Sequence, residues 1–377
     1  MKELELFGKK SYQIHSDVIR LSITEEGGHM APVEFYYKEK DPITPYYINP
    51  WHAEALPEDI PYLLNILRGD FFCLPFGENN TLGGQNHPVH GESASKPWKV
   101  TEATEDSGKT VLQMELDTTV RRGHLEKRIT LKQKETNIYI EHTISGFAGS
   151  APYGHHATLD ASRELHITGS PIQFGMVDPL SGTAYTGGEY HALQGGKPFE
   201  SLFRVATKWK NPDVADCSTF PGRLGFVDVI QMYQQKSCKP AWTTAVCPEG
   251  GYLWYAFKNP EVFPSTVMWM ENHGRHQEPW NGRNCCIGIE DVCSYFAHGI
   301  DGSCVPNPVQ KAGIPTSRKF SEGEVFTIRY IQGAIRIPKG FGRVKEVQQA
   351  ADMQSVTFIS EEGPSVDTAV DLSYVLG

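Results

Sequence analysis

Short runs in which apolar and polar residues alternate dominate the chain. Ser11–His15, Val18–Thr24 and Val33–Tyr37 open the series. The clearest block lies between Trp98 and Ser145. There Trp98–Glu105 and Val111–Thr119 flank an Asp-Ser-Gly turn signal, and Leu125–Gln133 and Asn137–Ser145 flank Lys-Glu-Thr. Alternation sends successive side chains to opposite faces, so this block predicts an antiparallel meander. Leu165–Thr168 and Ile172–Met176 are shorter candidates. Phe226–Gln234, Trp242–Val246, Tyr252–Phe257, Thr266–Glu271, Cys285–Glu290 and Phe326–Ile337 resume the pattern. Helical periodicity is convincing only at Gly342–Asp352, where Val344, Val347 and Ala350–Ala351 would share a face. The tail, Ser355–Gly377, reads as one strand and a short turn of helix. About fifteen strands against one late helix predict an all-β chain. No internal repeat or strand–helix–strand alternation competes with that reading.

One stretch departs from the alternation. Ile66 to Trp98 reads ILRGDFFCLPFGENNTLGGQNHPVHGESASKPW. The apolar run Tyr62–Leu67, which suits a buried strand or a short helix, leads into Arg68-Gly69, and Phe71–Phe76 follows. A loop rich in Gly, Asn, Gln and Pro then ends in His90-Gly91. Loops of this composition bury little of their own surface and build sites on rigid scaffolds. The stretch is therefore the expected heart of a ligand site. Lys38–Pro57, Pro-rich and irregular, is placed to fold over an open face and cover part of it.

Composition narrows the function. The chain has 377 residues, 39% hydrophobic and 11% aromatic, enough for a sizeable core. Its formal charge of −10, with no Lys/Arg run, argues against nucleic acid. The start, Met1–Gln13, is polar and lacks the apolar segment of a signal peptide. No window approaches the ~18 apolar residues of a membrane span. A cytoplasmic protein with no membrane partner is expected. The eight cysteines are irregularly spaced and form no CxxC pair, which suits free thiols. Cys285 and Cys286 would face opposite ways on one strand.

Four places carry candidate chemistry. His90 precedes Gly91, whose freedom permits a turn other residues resist. His155 and His156, adjacent on an extended segment, face opposite ways, so at most one enters a pocket. Glu290 ends a run of small apolar residues, where partial desolvation raises a carboxylate toward a base's working range. Trp269, Glu271, His273, Arg275, His276 and Trp280 crowd one loop; Trp faces stack on the C–H surface of sugar rings, so Glu271 and Trp280 are expected to line such a site. His87-x-x-His90 and His273-x-x-His276 have zinc-like spacing but lack a complementary Cys or acid, so no metal is expected. Phosphate-loop, dinucleotide and Gly-x-Ser-x-Gly signatures are missing.

Arg68-Gly69, Pro75-x-Gly77, His90-Gly91 and Trp98, followed by Gly154-His155-His156 and the strand ending in Glu290, resemble the aldose 1-epimerase (galactose mutarotase) superfamily. The nearest likeness is to its glucose-6-phosphate 1-epimerase branch. The resemblance implies a large antiparallel β-supersandwich over residues 1–340, with a helix and tail, 341–377, packed on it. It implies interconversion of sugar anomers, without cofactor, on a monosaccharide or short sugar. Glu290 would take the anomeric proton and His156 would protonate the ring oxygen, with His155 as the alternative. Arg68 and His90 would hold hydroxyls or the ring oxygen. Two departures matter. Ala94 stands where that branch has a second Arg, and with Glu92 beside it this favours a neutral sugar over a phosphate. Asp291 stands where Pro often follows the catalytic Glu, adding a negative neighbour. A non-catalytic sugar-binding protein on the same scaffold is the alternative, and a metal-assisted carbohydrate enzyme a third.

Overall fold

A computed structural model describes residues 1–78, 80–106, 108–181 and 188–377. Two large antiparallel sheets face each other. One has nine strands: Thr219–Phe220, Leu165–Gly169, Ala241–Cys247, Tyr252–Lys258, Val325–Arg336, Asn137–Ser145, Gly123–Lys132, Lys109–Thr118 and Lys99–Glu105. The meander expected between Trp98 and Ser145 forms its last four. The other has eight: Pro198–Phe199, Ile172–Val177, Phe226–Gln234, Ser265–Asn272, Cys285–Cys293, Tyr153–His155 and Phe72–Cys73 in order, with Ala157–Asp160 also paired to Cys285–Cys293.

The period of two explains the layers. On Cys285–Cys293, Ile287 and Ile289 join Met268, Ile230, Ile140 and Trp254 in the core between the sheets. Cys286 and Val292 face the other way and pack with Val267, Trp269 and Phe71 in a second cluster. The two adjacent cysteines thus divide between the faces as expected. Tyr252–Lys258 is buried along its whole length, because layers cover both sides of it. Inward Trp254 meets the sandwich core, while outward Tyr255 and Phe257 meet Phe358 and Val356 of the C-terminal segment. A four-stranded sheet, Lys2–Leu6 through Met30–Phe35, contributes Ile14, Leu21 and Ile23 to the sandwich core.

The C-terminal segment corrects one expectation. Residues 342–352 do not form a helix. Val344–Gln349 is a strand in a three-stranded sheet with Ser355–Ser360 and Ser365–Ala369. Its register slips between Val344, opposite Ser360, and Glu346, opposite Ile359. This bulge inserts an extra residue, so Val344 and Val347 share a face although three apart, which imitates a helical period. Helix appears at the end, in Ser373–Leu376. The run Tyr62–Leu67 contains a single turn, Leu63–Ile66.

Candidate active site

Glu290 projects from the outer face of the eight-stranded sheet. Gly288 leaves room for it, since a Cβ there would lie 2.3 Å from Glu290 Oε1. Across the ladder, His156 follows Tyr153–His155 and turns the same way. Its Nε2 lies 3.3 Å from Glu290 Oε1, and its Nδ1 hydrogen-bonds the Thr158 hydroxyl at 3.1 Å. The His156 ring stacks on Phe71 at 4.6 Å, and Phe71 stacks in turn on His29 at 4.0 Å. That stack fixes the imidazole plane from beneath.

His90 stands edge-on to His156, with ring centroids 5.0 Å apart. Its Nδ1 accepts the Gly77 N–H at 3.1 Å, which leaves the ring proton on Nε2 as a donor. Gly91 has φ +82°, and a Cβ on it would strike Leu74 O at 2.0 Å, so His90 reaches this position only because glycine follows.

These three side chains line a cavity of about 430 Å³ with Trp269, Trp280 and Arg275, a volume suited to a small ligand. Leu63, Leu64 and Leu67 form an opposing apolar wall. Lys38–Pro57 contributes behind that wall: Trp51 N–H donates to Leu64 O at 2.6 Å, and its ring meets Trp280 edge-on at 4.9 Å.

Burial sets the protonation of the pair. It pushes the Glu290 carboxyl well above its ordinary range, with Arg275 opposing the shift. It pushes His156 well below the usual imidazole value, with His90 adding to the effect. His90 is held down to about 3 by burial and then by Arg275, so it is neutral. Together these directions place the proton of the pair on Glu290 and leave His156 neutral.

Of the seven residues singled out from the sequence, the fold brings four to the cavity: Glu290, His156, His90 and Trp280. Arg68 is fully buried elsewhere, its guanidinium donating to the carbonyls of Ile66, Leu6 and Phe7. It ties the N-terminal hairpin to the site loop and offers nothing to a ligand. His155 points into the sandwich, where Nδ1 meets Asp70 Oδ2 at 2.9 Å and the ring stacks on Tyr330. Glu271 spends one carboxylate oxygen on the backbone N–H groups of Gly274 and Arg275, bracing the turn rather than lining the cavity.

Both departures read differently in three dimensions. Asp291 is on the inner face, 2.5 Å from Lys258 Nζ and bonded to Thr266 and Tyr330, so it adds no charge to the site. Glu92 accepts from the Thr119 and Val120 N–H groups and the Thr119 hydroxyl, outside the cavity. Ala94 is wholly buried. The zinc-like pairs are occupied separately, His87 with Gln85 and His273 with Gly282 O. Among the described residues no group of three or more His, Cys, Asp or Glu is arranged to hold a metal.

Sequence reasoning undervalued Arg275 and overlooked Glu189. The placement of Arg275 between Trp269 and Trp280 was the one available signal. Glu189 lies in an irregular Gly-rich segment that gives none.

No protein-family profile and no curated protein matches the sequence. Solved structures do match. A galactose mutarotase-like protein from Clostridium acetobutylicum aligns with a TM-score of 0.60 at 11% identity, covering 89% of this chain and 98% of that one. A galactose mutarotase related enzyme from Lactobacillus acidophilus aligns with a TM-score of 0.54 at 10% identity, covering 86% and 97%. A candidate aldose 1-epimerase from Klebsiella pneumoniae aligns with a TM-score of 0.60 at 13% identity, covering 87% and 80%. The chain therefore has the galactose mutarotase-like fold, an all-β antiparallel supersandwich. That fold is the one seen in proteins described as mutarotases and aldose 1-epimerases, and the particular activity of this chain has to be argued from its site.

Proposed function

We propose that the chain is an aldose 1-epimerase acting on a neutral monosaccharide or short sugar. The observation that carries this reading is the Glu290–His156 contact of 3.3 Å on the floor of a cavity walled by Trp269 and Trp280. Anomeric exchange needs one base and one acid at two oxygens borne by the same carbon. Once the proton passes from Glu290 to His156 across that contact, the Glu290 carboxylate takes the proton of the anomeric hydroxyl while His156 protonates the ring oxygen. The C1–ring oxygen bond breaks and the C1 carbonyl forms. Rotation about the adjoining C–C bond and closure by the reverse transfers return the other anomer. Each proton transfer contributes about 10²–10⁴-fold. His90 Nε2–H is placed to donate to a hydroxyl or the ring oxygen, and the tryptophans to stack on the ring.

The cavity mouth supports a neutral substrate. Asp59, Glu78 and Glu278 line it, are exposed, and have no ion-pair partner among the described residues. Such a rim repels hexose phosphates. The free cysteines fit a reducing compartment, and we place the enzyme in the cytoplasm. The test is a panel of free sugars in two-dimensional NMR exchange. Enzyme-dependent exchange cross-peaks between anomers are expected for at least one sugar and should vanish in Glu290→Gln. Sugar binding without exchange would favour a non-catalytic binding protein.

A further inference from the structure

We propose that Glu189 is a specificity-determining residue of this cavity: it masks the charge of Arg275, so that the site takes a neutral aldose and refuses an anionic one. The proposal rests on the sugar-anomerisation reading of the same cavity.

Arg275 is the only Lys or Arg on the cavity wall among the described residues. Left free, its planar fork would recruit a carboxylate or phosphate two oxygens at a time. It is not free. Its Nε lies 2.8 Å from Glu189 Oε1, and Glu271 Oε2 approaches from further off at 3.9 Å. The guanidinium also lies in the corner where two rings meet edge-on, 5.3 Å from the centroid of Trp269 and 5.0 Å from that of Trp280. Two cation–π contacts and a carboxylate 2.8 Å away hold the group where it is.

Glu189 is held as firmly. It sits opposite Arg275 in an antiparallel bridge, so the ion pair is a cross-strand pair. Gln277 Nε2 donates to Glu189 Oε1 at 3.1 Å, and His191 Nε2 lies 3.8 Å from Glu189 Oε2. The result is a fixed donor beside a fixed acceptor with little net charge. Neighbouring ring hydroxyls need that combination, one accepting from the guanidinium while the other donates to the carboxylate. An anionic substituent finds the positive charge already taken.

The test removes one charge and leaves the catalytic pair alone. Glu189→Gln keeps the size of the side chain and removes the mask. Anomer exchange is measured for D-glucose and D-galactose against D-glucuronate and D-glucose 6-phosphate. The anionic-to-neutral ratio of kcat/KM should rise about tenfold in Glu189→Gln, the worth of one charge-assisted contact. It should fall back in Glu189→Gln with Arg275→Gln. A ratio unchanged in a folded Glu189→Gln protein overturns the proposal. Titration of tryptophan fluorescence, reporting Trp269 and Trp280, gives the same ratio from binding alone. If no sugar is exchanged, the anomerisation reading fails while the binding ratio still decides on the mask. If no probe binds to either protein, the mask is overturned as well.

Discussion

The eight-stranded sheet carries two acid–histidine pairs, one on each face. On the outer face His156 and Glu290 approach to 3.3 Å; on the inner face His155 and Asp70 approach to 2.9 Å. All four side chains are almost fully buried, so chemistry and burial do not separate the pairs. Access does. The outer pair opens on a cavity, whereas the inner pair is packed against Phe72, His142 and Tyr330. Glu290 and Asp291 repeat the contrast on adjacent residues. Asp291 is surrounded by Lys258, Thr266 and Tyr330, a set that completes it as a structural anion. Glu290 has His156 and open space. A step of one residue along a strand thus turns the same kind of group from a completed structural anion into one that faces a cavity.

The widest separation is expected between Glu290→Gln and Asp291→Asn. The first should lower anomer exchange at least ~10²-fold, or about 2.7 kcal/mol of barrier. Its thermal stability should hold or rise. Burial raises the Glu290 carboxyl, so that group stabilises the fold only below its unfolded value and loses the contribution as pH rises. Asp291→Asn strands the buried Lys258 ammonium and should cost about 3–5 kcal/mol of stability, while the exchange rate per folded molecule changes little. Chemical denaturation and exchange kinetics on both variants check this. Equal activity losses would dissolve the distinction between the faces.

The histidines should divide in the same sense by smaller amounts. His156→Ala should lose exchange activity on the scale of Glu290→Gln. His155→Ala leaves the Asp70 carboxylate without its partner and should cost about 1–3 kcal/mol of stability, with the catalytic constant retained. A His155 variant that is stable but inactive would move the acid to the inner face.

That division was legible in the sequence because alternation is a local property. Adjacent His155 and His156 must face opposite ways whatever the rest of the chain does; the same rule turns Asp291 away from Glu290, although Asp291 was expected to add a negative neighbour to the site. Which face was wet depended on distant partners: Lys258 for Asp291, Asp70 for His155. Arg68 could not be placed because its acceptors are carbonyls of Leu6 and Phe7, far away in sequence. Glu271 was misread because a carboxylate bound to backbone N–H groups looks, in sequence, like one awaiting a ligand. At Val344 and Val347 a bulge broke the alternation on which every strand assignment relied. The Glu189–Arg275 pair joins an irregular segment to a loop, and no periodic signal connects those.

A smaller effect concerns acid. His90 and His29 are both held down to about 3 by burial, against an ordinary 6.5. Depressed values mean that each contribution to stability is complete above pH 6.5 and is lost as pH falls toward 3. Each histidine steepens the decline by about 1.4 kcal/mol per pH unit at most. His90→Gln should therefore flatten the fall of the unfolding midpoint between neutral and acid pH. An unchanged slope would mean that His90 is solvated through the cavity and is not the dry group its surroundings imply.

The least change is expected from chelation, and it bears on whether the outer pair is an acid–base pair at all. Were a divalent ion held by His156, Glu290 and His90, their closeness would reflect a ligand set, and the comparison with the inner pair would lose its meaning. The hydrogen bonds oppose that. His90 accepts from Gly77 on Nδ1, so its Nε2 carries the ring proton and offers no lone pair to a metal. His156 Nε2 is already turned to Glu290. Of the other histidines in the zinc-like spacings, His87 and His273 are bonded away from the cavity and His276 does not line it. Protein treated with a strong chelator should therefore keep its melting temperature and its rate of anomer exchange. A loss of exchange restored by one divalent ion would turn Glu290 and His156 from proton carriers into ligands.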